Sequence, residues 1–204
     1  MLFEDTYLTI ATISEGVYKD KGSKFIAYAF PVSSENEIKQ HLSNLRKEHF
    51  NARHHCYAFR LGADKMAYRV NDDGEPKYSA GKPILGQIQS NDLTNILIVV
   101  VRYFGGTLLG VSGLITAYKL ATANALENAV IIEQKVKEVY QLTFDYLQMN
   151  DVMKLMKDEE LEQISQNFDL NCTLAFAVRK NNAEKVVDLF KKISNLEIKF
   201  LGLQ

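Results

Sequence analysis

The sequence predicts an α+β protein in two parts, an N-terminal domain over 1–134 and a small ferredoxin-like βαββαβ domain over 135–204. Three observations carry this. Ten of the eleven glycines and all three prolines fall at or before Gly113, and such a shift in composition marks a domain join, placed here near 132–137. Segments that alternate apolar and polar residues, as strands do, are interleaved with segments whose apolar residues recur at helical spacing. After residue 135 the pattern reads strand, helix, strand, strand, helix, strand, which is the ferredoxin-like order.

Tyr7–Ile13 alternates as a strand, and Lys24–Val32 reads as a second strand ending near Pro31. Ser33 or Ser34 is placed to cap a helix. Glu37 stands where a capping box with Ser34 needs it, and Ile38, Leu42 and Leu45 follow at helical spacing. His54–Leu61 alternates again, with Met66–Val70 as its partner across a Gly62-Ala-Asp turn. Pro83 suits the first turn of a short helix through Ile88. Asn95–Tyr103 is β-branched throughout, the pattern of a strand buried on both faces. Ser112–Ala129 is rich in Ala and Leu and reads as a helix with one buried side. The second part reads as strands Val136–Tyr146, Leu161–Asn167, Cys172–Arg179 and Glu197–Leu201, with helices Asn150–Lys157 and Asn182–Ile193.

The formal net charge of −1 supplies no global field toward nucleic acid or acidic lipid, so any RNA contact must come from a local patch. Cys56 and Cys172 lie far apart and do not form a disulfide-framework pattern. Met1–Asp5 is acidic and does not lead into an apolar run, so no signal peptide is expected. The longest apolar run, Ile96–Val101, is far shorter than the roughly 20 residues that span a bilayer. A cytoplasmic protein without membrane attachment is expected.

Special residues concentrate in two runs. Asn71–Pro83 holds Asp72, Asp73, Glu75, Lys77, Tyr78 and Lys82 among two glycines and two prolines. It reads either as a rigid ligand-presenting loop before a helix or as a turn-rich connection with solvated charges. Arg102–Gly113 follows the most buried strand, carries Tyr103, Gly105 and Gly106, and opens a helix. It is neither a Walker A loop nor a dinucleotide fingerprint, and close helix–sheet packing also accounts for its glycines. Arg102, leaving a buried strand, requires a partner: Asp73, Glu75 or an anion. His54, His55 and Cys56 invite metal or thiol chemistry, but the set lacks the four ligands of a zinc site and a fixed base for a nucleophile. A buried cysteine and a hydrogen-bonded histidine are expected, and His41 and His49 are placed on a solvated helix face.

Ala52–Arg60, Asp72-Asp73-Gly74-Glu75-Pro76, Ser79–Leu85 and Arg102-Tyr103-Phe104-Gly105-Gly106 resemble, in order, the signature blocks of the YigZ/IMPACT family. Gly22–Ala27 is similar to an earlier block, and Leu109-Gly110 with Gly113-Leu114 and Ala117-Tyr118 to the close. The resemblance implies an N-terminal βαβ domain like those of ribosomal proteins and elongation factors, with a ferredoxin-like domain after it. It brings no established reaction. The family's eukaryotic members act as translation regulators that bind a protein activator of a starvation-responsive kinase. Association with nucleic acid or the ribosome is the usual suggestion for the bacterial type. Leu108 and Thr116 stand where the family commonly carries basic residues.

Three function classes are therefore open. One is a translation-associated regulator that binds RNA, the ribosome or a regulatory protein through the 71–113 surface. The second is a protein–protein regulator without nucleic-acid contact, and the third a hydrolase-like enzyme using the Asp72, Asp73 and Glu75 carboxylates with His54. No catalytic constellation, metal set or cofactor is read from the sequence, and a monomer or weak dimer is expected. The binding candidates are Arg102, Tyr103, Gly105, Gly106, Lys82, Lys77, Asp73, Glu75, His54 and Tyr78.

Overall fold

The computed structural model describes residues 5–168 and 172–203. Met1–Glu4, on which most of the leader expectation rests, lie outside them. The chain divides into two compact units, one of Tyr7–Gln134 and one built from Lys135 onward together with Asp5 and Thr6.

The first unit is a five-stranded sheet in the order β2-β3-β6-β4-β5, formed by Ser14–Asp20, Ser23–Pro31, Ile96–Tyr103, His54–Leu61 and Ala67–Asn71. Every pairing in it is antiparallel. Because β3 and β4 both run antiparallel to β6, they are parallel to each other with β6 between them. Helix α1 (Glu35–Glu48) connects them, so the expected βαβ unit is present in split form.

The central strand is buried on both faces, as its β-branched sequence requires. Ile96, Ile98 and Val100 face one core with Phe25, Ala27, Cys56 and Ala58, closed by Ile84 and Ile88 of α2 (Gly81–Ser90) and by Leu114, Tyr118 and Ala121 of α3 (Gly110–Glu127). Leu97, Val99 and Val101 face the other, with Tyr28, Phe30, Tyr57 and Phe59 under Ile38 and Leu45 of α1. Three layers result, α1, sheet, then α2 with α3. Each buried Ile or Leu contributes about 1.5–3 kcal/mol relative to exposure.

Local details depart from expectation where side chains decide. Ser34 caps α1 by accepting the Glu37 N–H at 3.4 Å, but the Glu37 carboxylate accepts the Ser33 N–H at 2.9 Å, not the Ser34 N–H that a capping box uses, and takes only the hydroxyl of Ser34, at 3.1 Å. The hydrogen bonds that Glu37 accepts, from the Ser33 N–H first and then the Ser33 hydroxyl, hold its carboxyl below the usual range. The first strand, β1 (Thr6–Ile10), stops short of Ile13, and its partner β7 (Ile131–Lys135) lies where a domain join is expected. His49 is not on a solvated face. Its Nε2 lies 2.8 Å from the Tyr28 hydroxyl and its Nδ1 2.8 Å from that of Tyr103. His41 stacks on Phe30 with ring centroids 4.2 Å apart.

The second unit is a four-stranded antiparallel sheet ordered β11-β8-β10-β9, formed by Leu196–Leu203, Lys137–Phe144, Cys172–Arg179 and Glu162–Phe168. Helices α4 (Met149–Asp158) and α5 (Lys180–Phe190) cover one face, burying Val152, Met156, Val186 and Phe190 against Leu142, Leu174 and Phe176. This is the ferredoxin-like order. Among the described residues, no helix is long and apolar enough to cross a membrane.

Candidate binding site

The loop after β5 is organised by one carboxylate. Asp72 Oδ1 accepts the N–H groups of Ala80 at 3.0 Å and Gly81 at 2.8 Å, and Oδ2 accepts that of Tyr78 at 2.8 Å. It thereby serves the N-terminus of α2, whose own N-cap residue, Ala80, makes no side-chain bond. The path that permits this folds back through left-handed backbone at Asp73 (φ 41°), Gly74 (φ 87°) and Tyr78 (φ 67°). Asp73 is tied down separately: its Oδ2 accepts the His55 N–H at 2.7 Å and its Oδ1 meets Arg46 Nη2 at 3.1 Å.

The turn at Gly74 delivers Glu75 beneath the end of β6. Arg102 Nη1 donates to Glu75 Oε1 at 2.6 Å, and the pair's side chains are 7% and 4% exposed. Of the partners open to Arg102, Glu75 is the one it takes, while Asp73 goes to Arg46. The same Oε1 accepts the Tyr118 hydroxyl at 2.8 Å. The Cys56 thiol lies 3.3 Å from that hydroxyl and 3.0 Å from the Asp72 carbonyl, one proton serving both. Burial pushes the titration of Cys56 and of Tyr118 well upward, so both stay neutral and the thiol is no nucleophile.

Around this network lies a cavity of about 390 Å³. Its polar lining comes from Arg53, His54, Glu75 and Arg102, its apolar lining from Pro76, Phe104, Leu108, Leu109, Val111 and Leu114. His54 Nδ1 donates to the Asp73 carbonyl at 2.8 Å, because a carbonyl only accepts, and Nε2 is left for other partners.

Of the residues predicted from sequence, Arg102, Glu75 and His54 meet at this cavity. The others are placed elsewhere. Tyr103 lies on the opposite face of β6 from Arg102 and is bonded to His49, so it is not a free stacking platform for a base. Gly105 spends its N–H on Ser23 Oγ at 3.1 Å, which removes it as an anion donor, whereas Gly106 (φ 88°) is open. Lys77 and Lys82 gather over the Tyr78 ring, their Nζ atoms 4.9 and 3.8 Å from its centroid. The three carboxylates of the enzyme reading are committed to a helix end, an arginine and a backbone N–H, and a buried arginine. Among the described residues, no three His, Cys, Asp or Glu side chains gather into a metal-binding set.

Arg53, Phe104, Leu108 and Tyr118 were not anticipated. Tyr118 did carry a signal, since a tyrosine in the Ala-rich buried stripe of α3 needs a partner for its hydroxyl.

His55, behind Asp73, offers a test of this arrangement. It is 5% exposed with an unpartnered Nε2. Burial pushes its pKa below the ordinary value, against the pull of the Asp73 carboxylate. Above the ordinary value of about 6.5 the folded and unfolded chains bind this proton alike. Below it the unfolded chain is protonated first, so stability falls with pH by up to about 1.4 kcal/mol per unit until the folded pKa is reached. Melting curves between pH 7.5 and 5.5 should show this decline, flattened in His55→Gln. Equal slopes in the two proteins would contradict it.

Comparison with known proteins places the chain. The family model of the Impact N-terminal domain matches residues 21–126. This chain belongs to the IMPACT family. An IMPACT family member of Haemophilus influenzae is 36% identical over 83% of this chain and 82% of its own length. The IMPACT family member YigZ of Escherichia coli is 32% identical over 86% of this chain and 85% of its own. A crystal structure of a hypothetical protein superposes with a TM-score of 0.78 at 28% identity, covering 98% of both chains. In this IMPACT family member the matched region ends within α3. It therefore contains every residue of the Arg102 network and its cavity.

Proposed function

We propose that this IMPACT family member is a translation-associated regulatory protein that binds a protein partner through the cavity face of its N-terminal unit. The observation that carries this reading is the run of apolar side chains exposed around the cavity mouth. Phe104 is 49%, Val111 52% and Leu108 83% exposed. Clustered exposed apolar residues mark interaction surfaces, while single ones do not. The translation role comes from family membership.

The basic residues support a protein over RNA. Arg102 is buried against Glu75, Arg46 is paired with Asp73, and Lys82 lies over Tyr78. Arg53 is the arginine left at the cavity mouth, too little for a phosphate-tracking groove.

Capture from lysate at increasing salt tests this. The expected result is recovery of ribosome-associated or translation-factor protein that resists nuclease and changes by less than about threefold between 50 and 200 mM salt. RNA-mediated binding with six or more phosphate contacts would lose about a thousandfold over that range. Leu108→Ser with Val111→Ser should abolish capture. Nuclease-sensitive, steeply salt-dependent binding would replace the partner with RNA, and recovery of no translation component would remove the translation role.

A further inference from the structure

The cavity's charge and hydrogen-bonding inventory is unbalanced in a way that specifies a ligand. Arg102 spends Nη1 on Glu75. Its Nε is buried and has no hydrogen-bond partner, and the guanidinium's hydrogen bond and ion pair to the described residues are both made by Nη1, to Glu75, with none from Nη2. These two donors form the side edge of a guanidinium, the edge that receives a carboxylate through two parallel bonds. A buried arginine with that edge unmatched is a costly arrangement unless something else completes it.

The rest of the cavity agrees. Two guanidiniums, Arg53 and Arg102, face one carboxylate, Glu75, which leaves an excess of a single positive charge. That suits a monoanion, and a dianionic phosphate would overfill it beside Glu75. Helix α3 starts at the cavity with no side-chain cap and no acidic residue in its first turn, so its leading N–H groups add positive potential. Leu109 and Leu114, 9% and 5% exposed, form an apolar wall with Pro76. The volume, about 390 Å³, falls at the small end of ligand pockets.

We propose that this cavity binds a carboxylate carried on an apolar body, with the carboxylate on the Nε–Nη2 edge of Arg102 and the body against Leu109, Leu114 and Pro76. The source is either a small apolar acid or the chain-terminal residue of a polypeptide, since both present the same chemistry. The inference rests on reading this face as a binding surface. Entry of the ligand requires Phe104 to move: its ring centroid lies 5.6 Å from the guanidinium and it is half exposed, whereas Phe25, 5.4 Å away, is fully buried.

The chain contains no tryptophan, so Phe104→Trp installs a single emitter at the site. Titration with hydrocinnamate should change its emission saturably. Hydrocinnamyl alcohol, acetate and phenyl phosphate should each bind at least about tenfold more weakly, as expected when a charge-assisted bidentate contact or the apolar body is missing. A tripeptide ending in a free Phe carboxylate, compared with its amide, separates the sources: tighter binding of the free tripeptide assigns a chain terminus, and binding of hydrocinnamate alone assigns a small acid. Leu108, exposed at the mouth, adds a charge test with little effect on folding. Leu108→Asp should weaken hydrocinnamate and Leu108→Lys tighten it, each by about fivefold at low salt.

Equal binding of acid and alcohol, preference for phenyl phosphate, or affinities within twofold across the Leu108 pair would overturn the proposal. So would the absence of any saturable emission change together with an unshifted melting temperature of the unaltered protein. Loss of the titration with partner capture intact removes the carboxylate pocket alone. The reverse result removes the partner and keeps the pocket.

Discussion

Glu75→Ala is expected to destabilise the N-terminal unit by about 3–5 kcal/mol, because it strands the Arg102 guanidinium in a buried site without its counter-charge. The pair is 2.6 Å apart with both side chains more than nine-tenths buried, so the guanidinium keeps little contact with solvent once the carboxylate is gone. The same substitution leaves the Tyr118 hydroxyl without its acceptor. For a unit of this size the loss corresponds to roughly 10–20 °C in melting temperature. The informative control is the double variant Glu75→Leu with Arg102→Met, which removes both charges and keeps the volume. It is expected to recover most of that loss and to lie about 1–2 kcal/mol below the parent, the remainder being the unpaired Tyr118 hydroxyl, since breaking a buried pair costs more than replacing it. Thermal or denaturant melts of the singles and the double decide the matter. A double variant as unstable as Glu75→Ala would mean that the ion pair itself, and not the orphaned charge, supplies the stability.

Gly105→Ala should be nearly as damaging, for a different reason. A Cβ there would lie 1.9 Å from the carbonyl carbon of Gly22 and 2.1 Å from the Ser23 nitrogen. Both are backbone atoms of the β2–β3 turn, so no side chain can swing away, and the β6–α3 loop must separate from that turn. Overpacking against backbone is expected to cost at least about 3 kcal/mol. Gly106 is the internal comparison. It has open space around it but a left-handed φ of 88°, so Gly106→Ala is expected to cost only about 1 kcal/mol. If the two variants melt together, conformation and not contact governs this loop.

Much of the fold was legible from periodicity. The β-branched run of β6, the Ser34–Glu37 cap of α1 and the ferredoxin-like order of the second unit follow from residue patterns. Strand β2 was not legible. Its sequence, Ser-Glu-Gly-Val-Tyr-Lys-Asp, has little apolar alternation and a central glycine. It is a strand because Gly16 lets α3 lie directly on it; a Cβ there would sit 2.2 Å from the Ala125 nitrogen. No window of local sequence contains that contact. The site shows the same division. Arg102 announced that it needed a partner, but the choice of Glu75 over Asp73 was set by left-handed residues at Asp73 and Gly74. That is a matter of loop path, which composition does not encode. Tyr103 illustrates the cost of reasoning by adjacency, since strand alternation sends it to the face opposite Arg102.

The split sheet has a consequence for synthesis on the ribosome. β6 lies between β3 and β4 in space but follows both, and α2 as well, in the chain. A nascent chain that has emerged only through α2 therefore holds two strands with complementary edges exposed and the strand that pairs them still inside the exit tunnel. Such edges are templates for pairing with a neighbouring chain. Stalling or truncation before residue 96 should thus yield aggregating fragments instead of a smaller folded unit, and the window of risk closes when the apolar run of β6 clears the exit tunnel.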